Sequence, residues 1–306
     1  MNNIQPGSIV VGADGSADAR RAVQWAAEQA ALERRPLVVF TAARQTPAMV
    51  GSWPGPAYVY PPDELLASAQ DIADEASALA SRHRPGIAVA ASTATVEARS
   101  ALIDLASDAH LLVLGSRGRG PVGSKVLGSV SAFVTRHAGC PVVVCRPGTD
   151  LRVKNGVLVG ADGTAESLPV LDFAFRQASL RDQPLTVLHS FFDDLAVGDG
   201  ADLARRDEPG LERQRLRVAE TIAGFGERYP EVRVGVQVTH GIPADTVSAI
   251  ADRHSLVVLG HHPTDSVARH LSSAVATAVL ERTHTNVAVV PEAAAGSLSR
   301  ARRGRG

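Results

Sequence analysis

Aromatic residues are scarce in this chain of 306 residues, at 4% of the total, so its cores must be filled by Ala, Val, Leu and Ile. Neither sign of charge dominates, because 31 Lys and Arg oppose 32 Asp and Glu. That balance removes the electrostatic reason to expect nucleic acid or an acidic membrane surface as the main partner. The exception is the segment 293–306, which contains four arginines and which we expect to be a disordered basic tail.

The chain has only two cysteines, Cys140 and Cys145, which lie five positions apart on what the pattern predicts to be one strand. Side chains at an odd separation along a strand face opposite sides, so these two thiols cannot form a disulfide. Unpaired thiols are typical of a reducing compartment. The sequence also lacks an apolar run long enough to cross a bilayer and a signal-peptide pattern in its first residues. These features predict a cytoplasmic protein.

What the chain does contain is an internal repeat. The segment Ser8–Ser16 (SIVVGADGS) returns as Gly156–Thr164 (GVLVGADGT), at an offset of 148 residues. Similarly, Leu111–Gly115 (LLVLG) matches Leu256–Gly260 (LVVLG), at an offset of 145 residues. Matched blocks in the same order indicate a duplicated domain.

Each repeat alternates short apolar runs with longer segments of helical periodicity. In the first repeat the apolar runs lie at 8–13, 37–42, 87–93, 111–115 and 141–146. Alternating strands and helices imply parallel pairing, because parallel neighbours need a crossover connection between them. The near-continuous Val, Leu and Ile runs are typical of strands covered on both faces. We therefore predict two α/β domains, at 1–147 and 155–292, each with a doubly wound parallel sheet of five strands.

Two glycine-rich segments of the first domain follow predicted strands, at the strand ends where doubly wound sheets bind ligands. One is Gly12–Ser16 (GADGS), after the first strand. The other is Gly115–Ser129, whose glycines have the spacing Gly-x2-Gly-x9-Gly-Ser and which leads into the fourth helix. Glycine lets the backbone approach phosphate oxygens closely, and the free N–H groups of a helix N-terminus favour an anion. The two segments together predict a phosphate-binding site.

Side chains within these segments add to the predicted site. The hydroxyls of Ser129 and Ser131 supply further hydrogen-bond donors, and Asp14 suits a ribose hydroxyl or a metal ion. Arg117 and two basic residues after it supply positive charge, unless they are simply solvated loop residues. Two other nucleotide-binding motifs do not match the sequence. In the stretch that resembles a Walker loop, a serine separates the last glycine from the lysine, and the dinucleotide motif Gly-x-Gly-x-x-Gly is absent after the first strand.

With these motifs the chain resembles a tandem universal stress protein of the actinobacterial, ATP-binding type. The likeness runs over both repeats and is carried by Gly115-x2-Gly118-x9-Gly128-Ser129 and by Val11–Ser16 (VGADGS). The resemblance implies an adenine nucleotide alpha hydrolase-like fold, with strand order 3-2-1-4-5 and the two domains paired through their fifth strands. It also implies ATP, with or without Mg²⁺, as the ligand. The ATP-binding residues that it implies are Ala13, Asp14, Ala42, Gly115, Arg117, Gly118, Gly128, Ser129, Val130 and Ser131.

The second domain departs from the motif. Asp162 and Gly260 are kept, but His-His-Pro follows Gly260 in place of the short glycine turn. Proline lacks an N–H and fixes φ, so Pro263 is a poor substitute for Gly118. We predict that this domain binds ATP weakly or not at all, with Asp162 and Gly260 as a remnant site.

The histidines do not predict a metal site. Seven of the ten lie after residue 150. No pair combines the i,i+4 spacing of helical ligands with a neighbouring carboxylate. The sequence therefore leaves any metal unassigned.

Three functions remain open at this point. The first is an ATP-binding stress-response regulator that acts through nucleotide-dependent conformation or an unidentified protein partner. It is favoured because Asp14 is the only carboxylate in the predicted site and no nucleophile or general base accompanies it. The second is an enzyme, either an ATPase, at most a slow one, or a nucleotidyl transferase of similar fold. The transferase would require His-x-Gly-His after the first strand, which Gly12–Ser16 does not supply. The third is a module that binds another ligand, such as a flavin or AMP. The resemblance favours the first. It implies an internal pseudo-dimer of the two domains and leaves a homodimer of chains open.

Overall fold

The computed structural model describes residues 4–43, 61–118, 127–147, 155–191, 211–261 and 267–292, without the side chains of 267–273. It divides into two compact units, unit 1 up to Cys145 and unit 2 from Arg146 onward. The predicted basic tail, 293–306, and the Pro263 position of the second domain lie outside the described residues.

Unit 1 alternates strands and helices as the sequence predicts. Its elements are β1 (Ile9–Gly12), α1 (Ala17–Glu33), β2 (Leu37–Ala42), α2 (Pro62–His83), β3 (Val89–Ala94), α3 (Ala98–Ala106), β4 (Leu111–Gly115), α4 (Ser129–His137) and β5 (Val142–Cys145). Each strand pair is parallel, and the order is β3-β2-β1-β4-β5. The doubly wound sheet and its strand order are confirmed.

Unit 2 repeats this architecture. Its elements are β6 (Val157–Gly160), the 3-10 turn η1 (Ala165–Ser167), α5 (Leu168–Leu180), β7 (Leu185–Phe191), α6 (Leu211–Arg228), β8 (Val234–His240), α7 (Pro243–Ala251), β9 (Leu256–His261), α8 (Val267–Arg282) and β10 (Asn286–Pro291). The strands are again parallel, in the order β8-β7-β6-β9-β10. The two units therefore have one topology, as a duplicated domain requires. Pairing of the domains through their fifth strands stays a prediction.

The inner strands form the core of each unit, because helices cover both of their faces. Ile9, Val10 and Val11 of β1 have no exposed surface. The edge strands differ: β3 is half-buried or exposed along its whole length, and the first four residues of β8 are exposed. The prediction of strands covered on both faces is thus confirmed for the inner strands and wrong for β3 and β8, which have a neighbouring strand on one side only.

Both cysteines are buried thiols. β5 begins at Val142, so Cys140 lies in the turn before this strand, and the prediction that both cysteines share one strand is wrong. Burial raises the pKa of Cys140 to about 12 and also raises the pKa of Cys145 above its ordinary value. The thiolate is the reactive form of cysteine, so neither residue is a nucleophile at neutral pH.

Candidate functional site

The candidate site of unit 1 lies at the carboxyl ends of β1 and β4, where the strand order reverses. β1 pairs with β2 on one side and with β4 on the other. Helix α1, which follows β1, packs with α2, whereas α4, which follows β4, packs with α3. The connections that leave β1 and β4 therefore diverge and leave a crevice between them, which is where sheets of this kind bind ligands.

The loop after β1 is fixed by a side-chain turn and a helix cap. Gly15 has a φ of 78°, a left-handed conformation that favours glycine. Asp14 Oδ1 accepts a hydrogen bond from Ser16 N at 3.0 Å. Ser16 Oγ accepts one from Ala19 N at 3.1 Å and so caps α1. These bonds set the orientation of the Asp14 carboxylate at the crevice.

Gly118 brings the loop after β4 against that carboxylate. A Cβ atom on Gly118 would lie 2.5 Å from Asp14 Oδ2, which is closer than carbon and oxygen approach without repulsion. Ser16 Oγ also donates to the carbonyl oxygen of Arg117 at 3.4 Å. The structure therefore brings together the two glycine-rich segments, and glycine at position 118 is what lets them meet.

The N-terminus of α4 lies at the same edge of the sheet. Gly128 is its N-cap residue and supplies no side chain to the first turn. Gly128 N donates to Ser116 O at 2.8 Å, and a Cβ on Gly128 would lie 3.2 Å from that oxygen. Ser129 is exposed and Val130 is half-buried. A helix N-terminus without a side-chain cap can offer its first N–H groups to an anion.

Four more of the predicted residues lie at this edge, and two of them, Ser131 and Gly115, make contacts within the protein. Ser131 is buried, and its Oγ donates to Gly115 O at 2.7 Å. The hydrogen of this hydroxyl is therefore already used, contrary to the prediction that it serves the ligand. A Cβ on Gly115 would lie 2.7 Å from the backbone of Asp18, so glycine lets α1 pack directly on β4. Ala13 is buried after β1, and Ala42 is half-buried at the end of β2.

Asp18 is a residue of this site that the sequence motif does not contain. It lies in the first turn of α1, and its side chain is 11% exposed. Ser116 Oγ donates to Asp18 Oδ2 at 2.6 Å. Arg117 Nε lies 3.6 Å from the same oxygen, and Arg21 forms an ion pair with Oδ1. One buried carboxylate thus holds the two residues that begin the loop after β4. Its only sequence signal is an acidic residue in a first helical turn, which helix electrostatics alone would explain.

The equivalent edge of unit 2 is built differently. Asp162 Oδ1 accepts hydrogen bonds from Thr164 N at 2.9 Å and from Thr164 Oγ1 at 2.8 Å. The helix that follows begins with η1, a 3-10 turn. A Cβ on Gly260 would overlap Glu292 Oε1, whereas the same position on Gly115 faces the first turn of α1. A carboxylate therefore fills a space in unit 2 that helix backbone fills in unit 1.

Glu292 has an unusual environment for a carboxylate. Burial, together with the nearby carboxylates of Asp162 and Glu166, raises the pKa of Glu292 to about 7. The folded state therefore favours the protonated form of this side chain, and its ionisation opposes folding.

Replacing Glu292 by glutamine should stabilise unit 2 in alkaline solution and have little effect in acid. The pKa of Glu292 is about 7 when folded and near 4.5 otherwise, so the destabilisation grows as the pH rises from 4.5 to about 7. At about pH 8 we expect the free energy of unfolding to rise by on the order of 2 kcal/mol, and below about pH 5 by much less. Urea unfolding, followed by circular dichroism, measures the free energy of unfolding at both pH values. The exposed Glu281→Gln is the matched control; a gain equal at every pH would refute the assigned cause.

The described residues supply neither a metal cluster nor a membrane span. Within them, no group of three or more His, Cys, Asp or Glu side chains is arranged to hold a metal ion. Two of the unit 2 histidines contact backbone oxygens instead: His189 Nδ1 lies 2.8 Å from Ala161 O, and His254 Nδ1 lies 3.0 Å from Ile250 O. Among the described helices, none is both long and apolar enough to cross a membrane.

Comparison with known proteins covers both repeats. The model of the universal stress protein family matches the chain twice, over residues 7–146 and 155–291. A universal stress protein of Mycolicibacterium smegmatis is 32% identical over 289 residues, which is 92% of this chain and 96% of the relative. One from Mycobacterium tuberculosis is 32% identical over 294 residues, again 92% of this chain and 96% of the relative.

Solved structures agree on the fold. A universal stress protein from Archaeoglobus fulgidus matches with a TM-score of 0.67 at 16% identity, covering 94% of this chain and 97% of its own. A putative universal stress protein from Pseudomonas aeruginosa matches with a TM-score of 0.57 at 15% identity, covering 94% of each chain. The double family match and the mycobacterial relatives place the chain in the universal stress protein family, with two such domains in tandem.

Proposed function

We propose that the chain is an ATP-binding universal stress protein that takes one nucleotide, in unit 1, and regulates a stress response or growth through conformation or a protein partner. The observation that carries this proposal is the contact of Gly118 with the Asp14 carboxylate beside the α4 N-terminus. In this arrangement a loop at a strand end packs against a fixed carboxylate, next to a helix N-terminus that has no side-chain cap. Such a site suits a nucleotide better than a neutral ligand, because the helix N-terminus favours an anion.

The phosphates would lie against the loop after β4 and the first turn of α4. Glycine at 118 and 128 leaves those two positions without side chains, and the helix dipole favours negative charge at the start of α4. Arg117 adds a cation at the same edge, in a position set by Asp18. These groups make the α4 side of the crevice the side that would bind the phosphates.

The nucleoside would lie on the β1 and β2 side. Asp14 is an acceptor, so it would take a ribose hydroxyl, or Mg²⁺ bound to the phosphates, rather than a phosphate oxygen. Ala13 directly follows β1 and Ala42 ends β2, and their small apolar side chains suit the flat face of adenine. This arrangement uses the predicted residues at the carboxyl edge, whereas Ser131 and Gly115 make contacts within the protein.

Binding rather than rapid turnover fits these groups. In the described part of the site the carboxylates are Asp14 and Asp18, and both accept hydrogen bonds from the protein. A general base needs a carboxylate or imidazole directed at the attacking water. The proposal therefore allows slow hydrolysis of ATP at most. The two buried thiols support a reducing, cytoplasmic location.

Calorimetric titration of the full chain with ATP tests the proposal and should give about one ATP per chain. Gly118→Ala should weaken binding by about tenfold or more, because the added Cβ displaces the Asp14 carboxylate or separates the two loops. Gly139→Ala is the matched control, because a Cβ there meets nothing within 4 Å. Absence of binding to the wild type would overturn the proposal, and undiminished affinity in Gly118→Ala would remove the site from this crevice.

A further inference from the structure

We infer that Glu292 excludes phosphate from unit 2, and is the residue that restricts nucleotide binding to one of two related domains. The inference rests on the proposed function of unit 1. It assigns a specificity-determining role to a side chain that lies outside the glycine motif.

Backbone pairing places Glu292 at the crevice of unit 2. Residues of β9 and β10 are in register up to His261 and Pro291. Glu292 N then donates to His261 O at 2.8 Å, which extends the pairing by one residue. Its side chain turns over the end of β9, so that Cγ, Cδ and Oε1 lie where a Cβ on Gly260 would point. The crevice between β6 and β9 corresponds by topology to the proposed ATP site between β1 and β4.

The charge at this edge opposes an anion. The carboxylates of Asp162 and Glu166 both act on Glu292 as like charges. A phosphate entering here would meet the carboxylates of Asp162 and Glu166, and Glu292 adds a third negative charge as the pH rises through its pKa of about 7. In a partly buried space, repulsion between like charges is stronger than in water. The strand end beside Gly260 therefore carries an extra acidic side chain in unit 2, next to two other acidic residues.

Unit 1 has a different charge balance at the equivalent positions. There the buried Asp18, which aligns with Glu166, is accompanied by Arg21 and Arg117. The position of unit 2 that aligns with Arg21 is Pro169, which carries no charge.

The difference at position 292 is specific to the second repeat. At the offset of 145 residues Glu292 aligns with Pro147, which has neither a charge nor a side chain long enough to cross a strand end. The sequence after Gly260 predicts that unit 2 has lost the glycine turn. Glu292 adds a group that actively repels the ligand, which is a separate physical effect with a separate test.

The test uses the full chain with unit 1 silenced by Gly118→Ala/Gly128→Ala, so that any remaining ATP binding reports unit 2. Adding Glu292→Ala should raise the remaining affinity for ATP by about tenfold or more, and Glu292→Gln, which removes charge but keeps volume, by a smaller factor. Glu281→Ala, at an exposed position of unit 2, should leave it unchanged. Melting temperatures confirm that each variant is folded.

The outcomes separate the two proposals. Equal affinity in the silenced chain and in both Glu292 variants would overturn the inference, whatever the wild type does. Failure of the wild type to bind ATP would overturn the proposed function of unit 1 instead. A gain in Glu292→Ala that Glu292→Gln does not share would assign the exclusion to volume alone and overturn the electrostatic part.

Discussion

Replacing Asp18 by alanine should lower both the free energy of unfolding of unit 1 and its affinity for ATP. The Asp18 carboxylate is 11% exposed and accepts a hydrogen bond from Ser116. Its removal leaves that hydroxyl without this acceptor and takes a buried anion away from Arg21 and Arg117. Because both arginines are more than a third exposed, most of the loss comes from the buried Ser116 hydroxyl, and we expect it to be on the order of 2 kcal/mol. ATP affinity should fall by about tenfold or more, because the loop after β4 loses its anchor.

Trp25 gives a direct readout of this effect. The chain has two tryptophans, Trp25 and Trp53, and both precede unit 2. Trp25 is buried in α1, so its fluorescence during urea unfolding reports unit 1. The matched control is Asp63→Ala, which removes an acidic residue from the first turn of α2, where it is exposed. Asp18→Ala should be much the less stable of the two; equal stability would reduce the role of Asp18 to helix electrostatics.

The sequence was sufficient to predict the fold because two independent patterns agree. The repeat sets the domain count, and the apolar runs set the strands, two of which, Leu37–Ala42 and Leu111–Gly115, are observed with their predicted bounds. The edge strands were less predictable. Four of the six residues of β3 (VAASTA) are apolar, yet the strand is half-buried or exposed because it lies at the edge of the sheet, which only the topology reveals.

The candidate site was predictable only where a motif carries it. The spacing of Gly118 and Gly128 predicts two positions where the backbone must come close to a neighbour, and the structure places them against Asp14 and Ser116. The contact between Asp18 and Ser116 joins residues 98 positions apart, and no local pattern signals it. From the sequence, Glu292 is only a residue that follows the last strand. Its position beside Gly260 becomes clear from the pairing of β9 with β10. Side chains that act across strand ends are thus the part of the site that sequence alone does not give.

A second large effect is expected at the opposite edge of unit 1. Glu33 lies at the C-terminal end of α1, and its side chain is 5% exposed. Its Oε2 lies 2.6 Å from His110 Nε2 and 3.3 Å from Arg35 Nε. Arg35 also donates to Gly7 O at 2.9 Å, so this cluster joins the end of α1 to the segments that enter β1 and β4. It lies at the amino ends of those strands, whereas the ATP site is proposed at their carboxyl ends.

Glu33→Ala should therefore destabilise unit 1 by on the order of 2 kcal/mol, because it removes a buried carboxylate that contacts both Arg35 and His110. An acidic residue in the last turn of a helix interacts unfavourably with the helix dipole. Removing this interaction stabilises the helix by only about 0.3–1 kcal/mol, so the net effect of Glu33→Ala is still destabilising. Trp25 fluorescence in urea measures the loss, and Glu75→Ala, at an exposed position on α2, is the control. A loss no greater than that of Glu75→Ala would show that the cluster adds nothing to stability.

The comparison of Glu33→Ala with Asp18→Ala then separates stability from binding. Both variants lose a buried carboxylate of α1, at its two ends, and both should unfold at lower urea concentrations. Below the unfolding transition, however, Glu33→Ala should bind ATP with the wild-type affinity, because its contacts lie at the far edge of the sheet from Gly118. If both variants lost affinity equally, ATP binding would depend on the overall stability of unit 1. If Asp18→Ala alone lost it, the loop after β4 would be established as the element that Asp18 positions for the ligand.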